Sequence, residues 1–410
     1  MKVLDSKKNA AEFIWKSDNK PEFTGKVRFD PIDNSFRLSI HVKNVMSDYL
    51  GSISWPVVYA FNAKHSDYVV YSTNTQWATP LTPLDSVPDE FLVGPGYLFM
   101  QMFGYKIGDS SLLLYTNDTL VNPKSVRVSK SNNKATFELS HLYRIKPGLS
   151  CDIPYETVLK VIPHGDYNTL AQAYASWARK QWWAKESFEE KLKQKPGLAN
   201  YTKDGFIRIH SVDADFENVD GKWRYTGKKD ANIYNDILKM ADGLKNEIGI
   251  QPGLWDPVWH GRLFDSCYPD YFPIPDYMGD FNLYRSELIK KHIPMMYHVN
   301  LVHWATGNPS YKREWMIMYN GNYLDDLTGW TWFGIHGGCP SIGITFKKDR
   351  ETLKALGDKS GFNGFYLDEI GHAFAENENP DDPYNGLPNG YQKATWDIFK
   401  EVRTLTSGPI

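Results

Sequence analysis

Three cysteines, Cys151, Cys267 and Cys339, are too few and too scattered for a disulfide framework or a zinc motif. No apolar run approaches the ~18 residues of a membrane span. The opening stretch, MKVLDSKKNAAEF, lacks the apolar segment of a signal peptide. The expectation is therefore a cytoplasmic protein, or a secreted or periplasmic one if the native N-terminus lies upstream. A net charge of −3 sets up no field for nucleic acid or an anionic membrane, so neither is an expected partner. There is no Gly-rich phosphate fingerprint after a first strand, no HExxH or CxxC, and no G-x-S-x-G elbow. Dinucleotide chemistry, the common zinc hydrolases and the serine hydrolases lose their sequence support, and no cofactor or metal is implied.

Aromatic residues, by contrast, are plentiful. The chain holds 14 Trp, 25 Tyr and 21 Phe, 15% of 410 residues. Rings are ordinary core material, but in loops they also form platforms for the flat apolar faces of sugars, so their positions must decide. Up to about residue 165 the pattern is short and alternating. KVRFDPIDNSFRLSIHV makes two strand-like runs around a turn, and SVRVSKSNNKATFELSHL repeats the form around Asn132-Asn133. Further strand-like runs follow with no convincing helix between them. This predicts an antiparallel β-sandwich over residues 1–165.

The period changes after Asp166. Leu170, Tyr174, Trp177 and Ala178 recur at three- and four-residue steps, so residues 166–204 read as a linker helix and connection. From residue 205 strands and helices alternate: GFIRIHS, IQPGLWD, IPMMYHVN and GFNGFYLD are the strands. Helices are expected around 232–249, at 281–292 with Asp280 as cap, at 347–361 and at 389–408. Four βα units imply parallel strands with right-handed crossovers. Long loops after strands two and three favour the N-terminal half of a (β/α)8 barrel over a doubly wound sheet. A barrel needs about 250 residues, and the chain reaches TSGPI where a fifth strand is expected, so it reads as C-terminally incomplete.

The chemistry-bearing residues collect at the C-terminal ends of these strands. Strand one ends at His210; strand two at Trp255, Asp256 and His260; strand three at His298, Asn300, His303 and Trp304; strand four at Asp368, Glu369 and His372. The loop LTGWTWFGIHGGCP adds Trp330. Each has an ordinary alternative: an Asp after a strand caps a helix or turn, a loop His braces its neighbours, a Trp fills a core. Four strands ending this way at one end of the sheet point instead to a pocket.

Carboxylates among aromatics suit glycoside hydrolysis, in which one carboxylate attacks or stabilises an oxocarbenium-like centre and another protonates the leaving oxygen. Alternation along Tyr366-Leu367-Asp368 directs Asp368 inward with Tyr366 and turns Glu369 away. Asp368 is the candidate nucleophile. His210, Trp255, Asp256, His260, His298, Asn300, His303, Trp304, Trp330, Glu369 and His372 are candidates for binding an oligosaccharide. Binding glycan without cleaving it remains open on the same residues, as does a metal-dependent hydrolase using His298, His303 and Asp368.

The domain order and the segment GFYLDEIGHAF resemble glycoside hydrolases related to α-galactosidases and endo-α-N-acetylgalactosaminidases. They are closer still to an uncharacterised bacterial family of hydrolase-like proteins. The resemblance rests on Tyr366-Leu367-Asp368 with Gly371. It implies a hydrolase of α-linked galactose- or N-acetylgalactosamine-type glycans, retaining, with Asp368 as nucleophile. In such relatives the general acid comes from strand five or six, and no counterpart is found before residue 410. Sugar, linkage and oligomeric state are not legible.

Overall fold

The computed structural model describes residues 2–5, 9–61, 67–71, 81–83, 90–93, 100–131, 134–199, 204–210, 212, 215–220, 222–264, 266–319, 321–324, 337–338, 341–368, 377–385, 387 and 390–407. The chain divides into two compact units. One is centred on residues 1–185, the other on residues 186–370 with 377–385 and 393–410.

The first unit is antiparallel. A ten-stranded sheet carries Ala10–Trp15, Glu22–Asp30, Ser35–Lys43, Thr157–Pro163, Ser110–Thr116 and Met102–Ile107 in that spatial order. A four-stranded sheet runs Ile53–Phe61, Lys134–His141, Lys124–Ser131, Glu90–Val93. Both hairpins expected from the sequence form, the first in register from Glu22↔Lys43 to Asp30↔Ser35 and the second from Lys124↔His141 to Ser131↔Lys134. Strict alternation along Lys134–His141 buries Ala135, Phe137, Leu139 and His141 and leaves the residues between them partly exposed. Phe103, Tyr105 and Leu114 of the larger sheet share one core with Val126, Val128 and Phe137 of the smaller. The Phe137 ring lies 5.1 Å from Phe103 and 4.7 Å from Tyr105, and burying each such side chain is worth about 2–3 kcal/mol.

The helix Tyr167–Ala178 starts at a capping box in which Asp166 accepts from Thr169 N, so its first turn is stable without burial. Leu170 and Tyr174 then pack with Val70, Met102, Leu113 and Val158 on the ten-stranded sheet. Gly104 makes the close approach: a Cβ there would sit 2.5 Å from Leu170 Cδ1.

The second unit is built on four parallel strands, β1 (Phe206–Arg208), β2 (Gly253–Asp256), β3 (Met295–Asn300) and β4 (Asn363–Asp368), lying side by side in chain order. Helices α1 (Ile233–Gly243), α2 (Phe281–Lys290) and α3 (Ile342–Leu356) occupy the connections, and α4 (Gly390–Leu405) follows β4. The expected Asp280 cap is present, accepting from the Asn282 and Leu283 amides. Beyond α1 a single π turn closes on Gly249, whose φ of 79° favours glycine. Helix α3 begins five residues before its expected start at Lys347. Ile342, Thr345, Asp349, Thr352, Leu353 and Leu356 form its buried stripe, and the polar members of that stripe hide its period in the sequence. A hairpin of Phe216–Val219 with Lys222–Tyr225 stands unforeseen between β1 and α1. Its signal was the Asp220-Gly221 dipeptide between alternating residues. Among the described residues no helix is long and apolar enough to cross a membrane.

Candidate active site

Parallel register sorts the side chains of the second unit onto two faces. Arg208↔Trp255, Trp255↔Met296, His298↔Tyr366 and Asn300↔Asp368 are paired positions, so these residues share one face of the sheet. Their neighbours Asp256, Tyr297 and Phe365 take the other. That second face is covered by helices: Phe281 of α2 lies 5.9 Å from the Tyr297 ring, and Tyr234 of α1 stacks on Tyr284 of α2 at 4.2 Å. The first face carries the polar chemistry.

Asp368 ends β4 on that face. The turn feeding β4 is built by Asp358, whose carboxylate accepts from the Ser360 amide, the Ser360 hydroxyl and the Asn363 amide. Asp368 keeps 22% side-chain exposure, and its Oδ2 lies 3.4 Å from Nε2 of His298, which is 1% exposed. That separation is longer than a well-formed N–H···O bond, and among the described residues neither imidazole nitrogen has a hydrogen-bond partner. The indole Nε1 of Trp255 is likewise buried without one. The rings of Trp255 and Tyr366 stack at 4.4 Å, and the His298 ring lies nearly parallel to Tyr366 at 5.2 Å. Arg208 closes the row, its guanidinium 4.7 Å from the Trp255 ring.

The loop after β2 pins the end of β3. Trp259 Nε1 donates to the His298 carbonyl at 2.8 Å, and the Asn300 amide donates to Tyr271 Oη at 2.9 Å. Tyr234 Oη in turn donates to the Trp259 carbonyl. Backbone groups at the end of β3 are thereby satisfied by side chains, which fixes where the His298 and Asn300 side chains start.

The structure brings Trp255, His298, Asn300 and Asp368 together. Asn300 stands opposite Asp368 in register, and its Oδ1 accepts from the Val302 amide. His260 and His303 lie 5.8 and 6.1 Å from the Tyr268 ring, and both are buried. Burial holds the His260 imidazole well below its usual pKa and hence neutral, with Cys267 Sγ 3.3 Å from Nδ1. Asp256 is fully buried on the helix-covered face, where its carboxylate accepts from the Val258 amide. Asp256 takes the face opposite to Trp255 and Asp368, since successive residues of a strand point to opposite faces. Trp304 is buried against Trp315, while His210 is exposed beyond the end of β1. Trp330, Glu369 and His372 lie outside the described residues. Among the described residues no group of three or more His, Cys, Asp or Glu side chains gathers to hold a metal ion.

Phe264, Tyr268 and Tyr271 had not been expected at the site. They belong to the long loop after β2, and their signal in the sequence was only the aromatic density of FDSCYPDYF.

The chain thus joins an antiparallel β unit to sequential parallel βα units, with a carboxylate ending the fourth strand. Residues 151–407 match the family described as Domain of unknown function (DUF6259), and the chain belongs to that family. Among solved structures, the α-N-acetylgalactosaminidase NagBb from Bifidobacterium bifidum in complex with GalNAc superposes with a TM-score of 0.68 at 11% identity. The match covers 97% of this chain and 68% of that one. The GH36 α-galactosidase AgaA from Geobacillus stearothermophilus gives 0.58 at 12% identity, over 96% of this chain and 54% of that one. An α-galactosidase from Lactobacillus brevis gives 0.53 at 11%, over 98% and 53%. At these identities the likeness is one of fold, and the chain spans about half the length of the two α-galactosidases. No functionally curated protein matches by sequence.

Proposed function

We propose that the protein is a retaining glycoside hydrolase acting on glycans with α-linked galactose or N-acetylgalactosamine, with Asp368 as the nucleophile. The observation that carries this reading is the partly exposed Asp368 carboxylate, set at the end of β4 beside stacked aromatic rings. Those rings offer an apolar sugar face a platform, while Trp255 Nε1 and His298 Nδ1, without partners among the described residues, offer hydroxyls fixed partners. The α-galactosidases and the α-N-acetylgalactosaminidase that share the fold support the substrate class. In the reaction Asp368 attacks the anomeric carbon as the glycosidic C–O bond breaks, a second carboxyl protonates the departing oxygen, and water then hydrolyses the glycosyl ester.

The matching architecture is a β-sandwich over residues 1–165, a connection over 166–204 and the first half of a (β/α)8 barrel over 205–410. The shared core of the two antiparallel sheets supports the first part. The unreversed order β1-β2-β3-β4 supports the last, because a doubly wound sheet reverses its strand order.

The test is hydrolysis of nitrophenyl α-galactoside and α-N-acetylgalactosaminide by the wild type and by Asp368→Asn, run beside a glycan-binding array. Turnover by the wild type that Asp368→Asn abolishes, with glycan binding kept, is the expected result. Equal turnover by the variant contradicts the assignment. Glycan binding with no turnover by either favours a non-catalytic carbohydrate-binding protein.

A further inference from the structure

We infer that His298 is the positioning residue of Asp368: its Nε2–H holds Oδ2 of the carboxylate and leaves the other oxygen to attack. The inference rests on the nucleophile assignment above and adds to it a role for a histidine otherwise read as a sugar ligand.

The argument begins with register. His298 and Asp368 sit on neighbouring parallel strands and face the same way, one residue pair apart, because His298 is opposite Tyr366 and Asn300 is opposite Asp368. This brings Nε2 within 3.4 Å of Oδ2. The imidazole is 1% exposed, so whatever its nitrogens meet must come from the site itself.

The ring is also held from the sides. Tyr366 lies nearly parallel to it at 5.2 Å, Phe264 is at 5.3 Å and Tyr268 at 5.9 Å. Trp259 anchors the His298 carbonyl. Backbone and ring are thus both held, with Nε2 3.4 Å from Oδ2 of Asp368.

Chemistry supplies the need. A carboxylate that attacks an anomeric carbon uses one oxygen, and free rotation would spread that oxygen over many directions. A donor on the second oxygen removes the freedom, and misplacement by about 1 Å can cost about 100-fold in rate. The present 3.4 Å separation is of the kind that tightens once substrate is bound.

Histidine ring-nitrogen NMR on the intact protein, labelled with ¹⁵N-histidine, tests the inference without altering the buried ring. The His298 signals, identified by their absence in His298→Gln, are compared between wild type and Asp368→Asn. Both ring-nitrogen resonances are expected to move, because the acceptor that fixes the tautomer is changed. Unmoved resonances across pH 5–9 would overturn the inference.

Kinetics supply the second readout. His298→Gln is expected to lower kcat by roughly 10- to 100-fold with KM changed less than about threefold. A raised KM with kcat intact would return His298 to sugar binding and overturn the positioning role. A resonance shift without turnover by the wild type on any α-galactoside or α-N-acetylgalactosaminide keeps the His298–Asp368 pairing and rejects the hydrolase reading instead.

Discussion

Trp255 and Tyr366 stack at 4.4 Å with their planes 26° apart, although β3 runs between the strands that carry them. Two large rings meet over a narrower neighbour because each is long enough to lean across the strand holding His298. The pair leaves a flat aromatic surface next to the Asp368 carboxylate. If that surface carries the apolar face of a sugar, Trp255→Ala should weaken glycan binding by about 10-fold, on the order of 1.5 kcal/mol. Trp255→Phe should recover part of it. Titration calorimetry with a galactose-terminated oligosaccharide measures both, and unchanged affinity in Trp255→Ala would remove Trp255 from the binding surface.

Asp349 is buried in α3, and burial raises its carboxyl pKa to about 8, with a Thr345 hydroxyl hydrogen bond at 3.2 Å as a smaller opposing influence. The sign follows directly. Between the unfolded carboxyl's titration near pH 4 and the folded one near pH 8, the folded chain keeps a proton that the unfolded chain has released. Stability therefore falls as pH rises through that window, by up to about 1.4 kcal/mol per pH unit. Asp349→Asn should be close to neutral at pH 4 and stabilising at pH 8. Urea denaturation at the two pH values reads the difference, and equal effects at both would contradict the account.

His141 behaves in the opposite sense. Its Nε2–H donates to the Trp55 carbonyl and Nδ1 accepts from Tyr155 Oη, a pattern that uses both nitrogens of the neutral ring. Burial pushes its pKa down to about 4. From pH 6.5 to 4 the unfolded chain takes up a proton that the folded ring refuses, so stability is full above 6.5 and falls on acidification. The loss amounts to about 1.4 kcal/mol per pH unit. The wild type minus His141→Gln difference in unfolding free energy should shrink across that window, and a difference flat with pH would show that the ring is not held neutral.

Lys124 and Asp118 form an ion pair of 2.5 Å in the first unit, with side-chain exposures of 4% and 2%. Asp118 also accepts from the Leu120 and Asn122 amides, and Lys124 reaches Gln101 Oε1 and the Asn122 carbonyl. Desolvation lowers the Lys124 pKa to about 8. Asp118→Asn leaves a buried ammonium with a neutral partner and should cost about 3–5 kcal/mol. Adding Lys124→Met should return part of that loss. A thermal-melt double-mutant cycle reads the coupling, and strictly additive effects would show that the pair is not coupled.

Much of the second unit was legible because its signals are local. Alternating or continuous apolar runs marked β3 and β4, Asp280 marked the start of α2, and parity along Tyr366-Leu367-Asp368 placed Asp368 beside Tyr366 on one face. The same parity separates Trp255 from Asp256, which take opposite faces of the sheet. The burial of His260, His303 and Trp304 was not legible in the sequence. They sit in loops, where burial is decided by partners far along the chain, such as Tyr268 against His303 and Trp315 against Trp304. The Trp259–His298 anchor joins residues 39 apart, and no sequence period reports such a contact. Helix α3 was shifted because Thr345, Asp349 and Thr352 occupy buried positions that an apolar pattern leaves blank.

The central claim is that the Asp368 carboxylate attacks an anomeric carbon, and a trapped glycosyl ester tests it most directly. A 5-fluoro-α-galactosyl fluoride carries a leaving group that departs without protonation, so the trap depends on the nucleophile and not on the general acid. The intact chain should gain one glycosyl mass, located by peptide mass spectrometry on the peptide that contains Asp368 and absent from Asp368→Asn. Attachment at another residue, or an equal adduct on Asp368→Asn, would contradict the account.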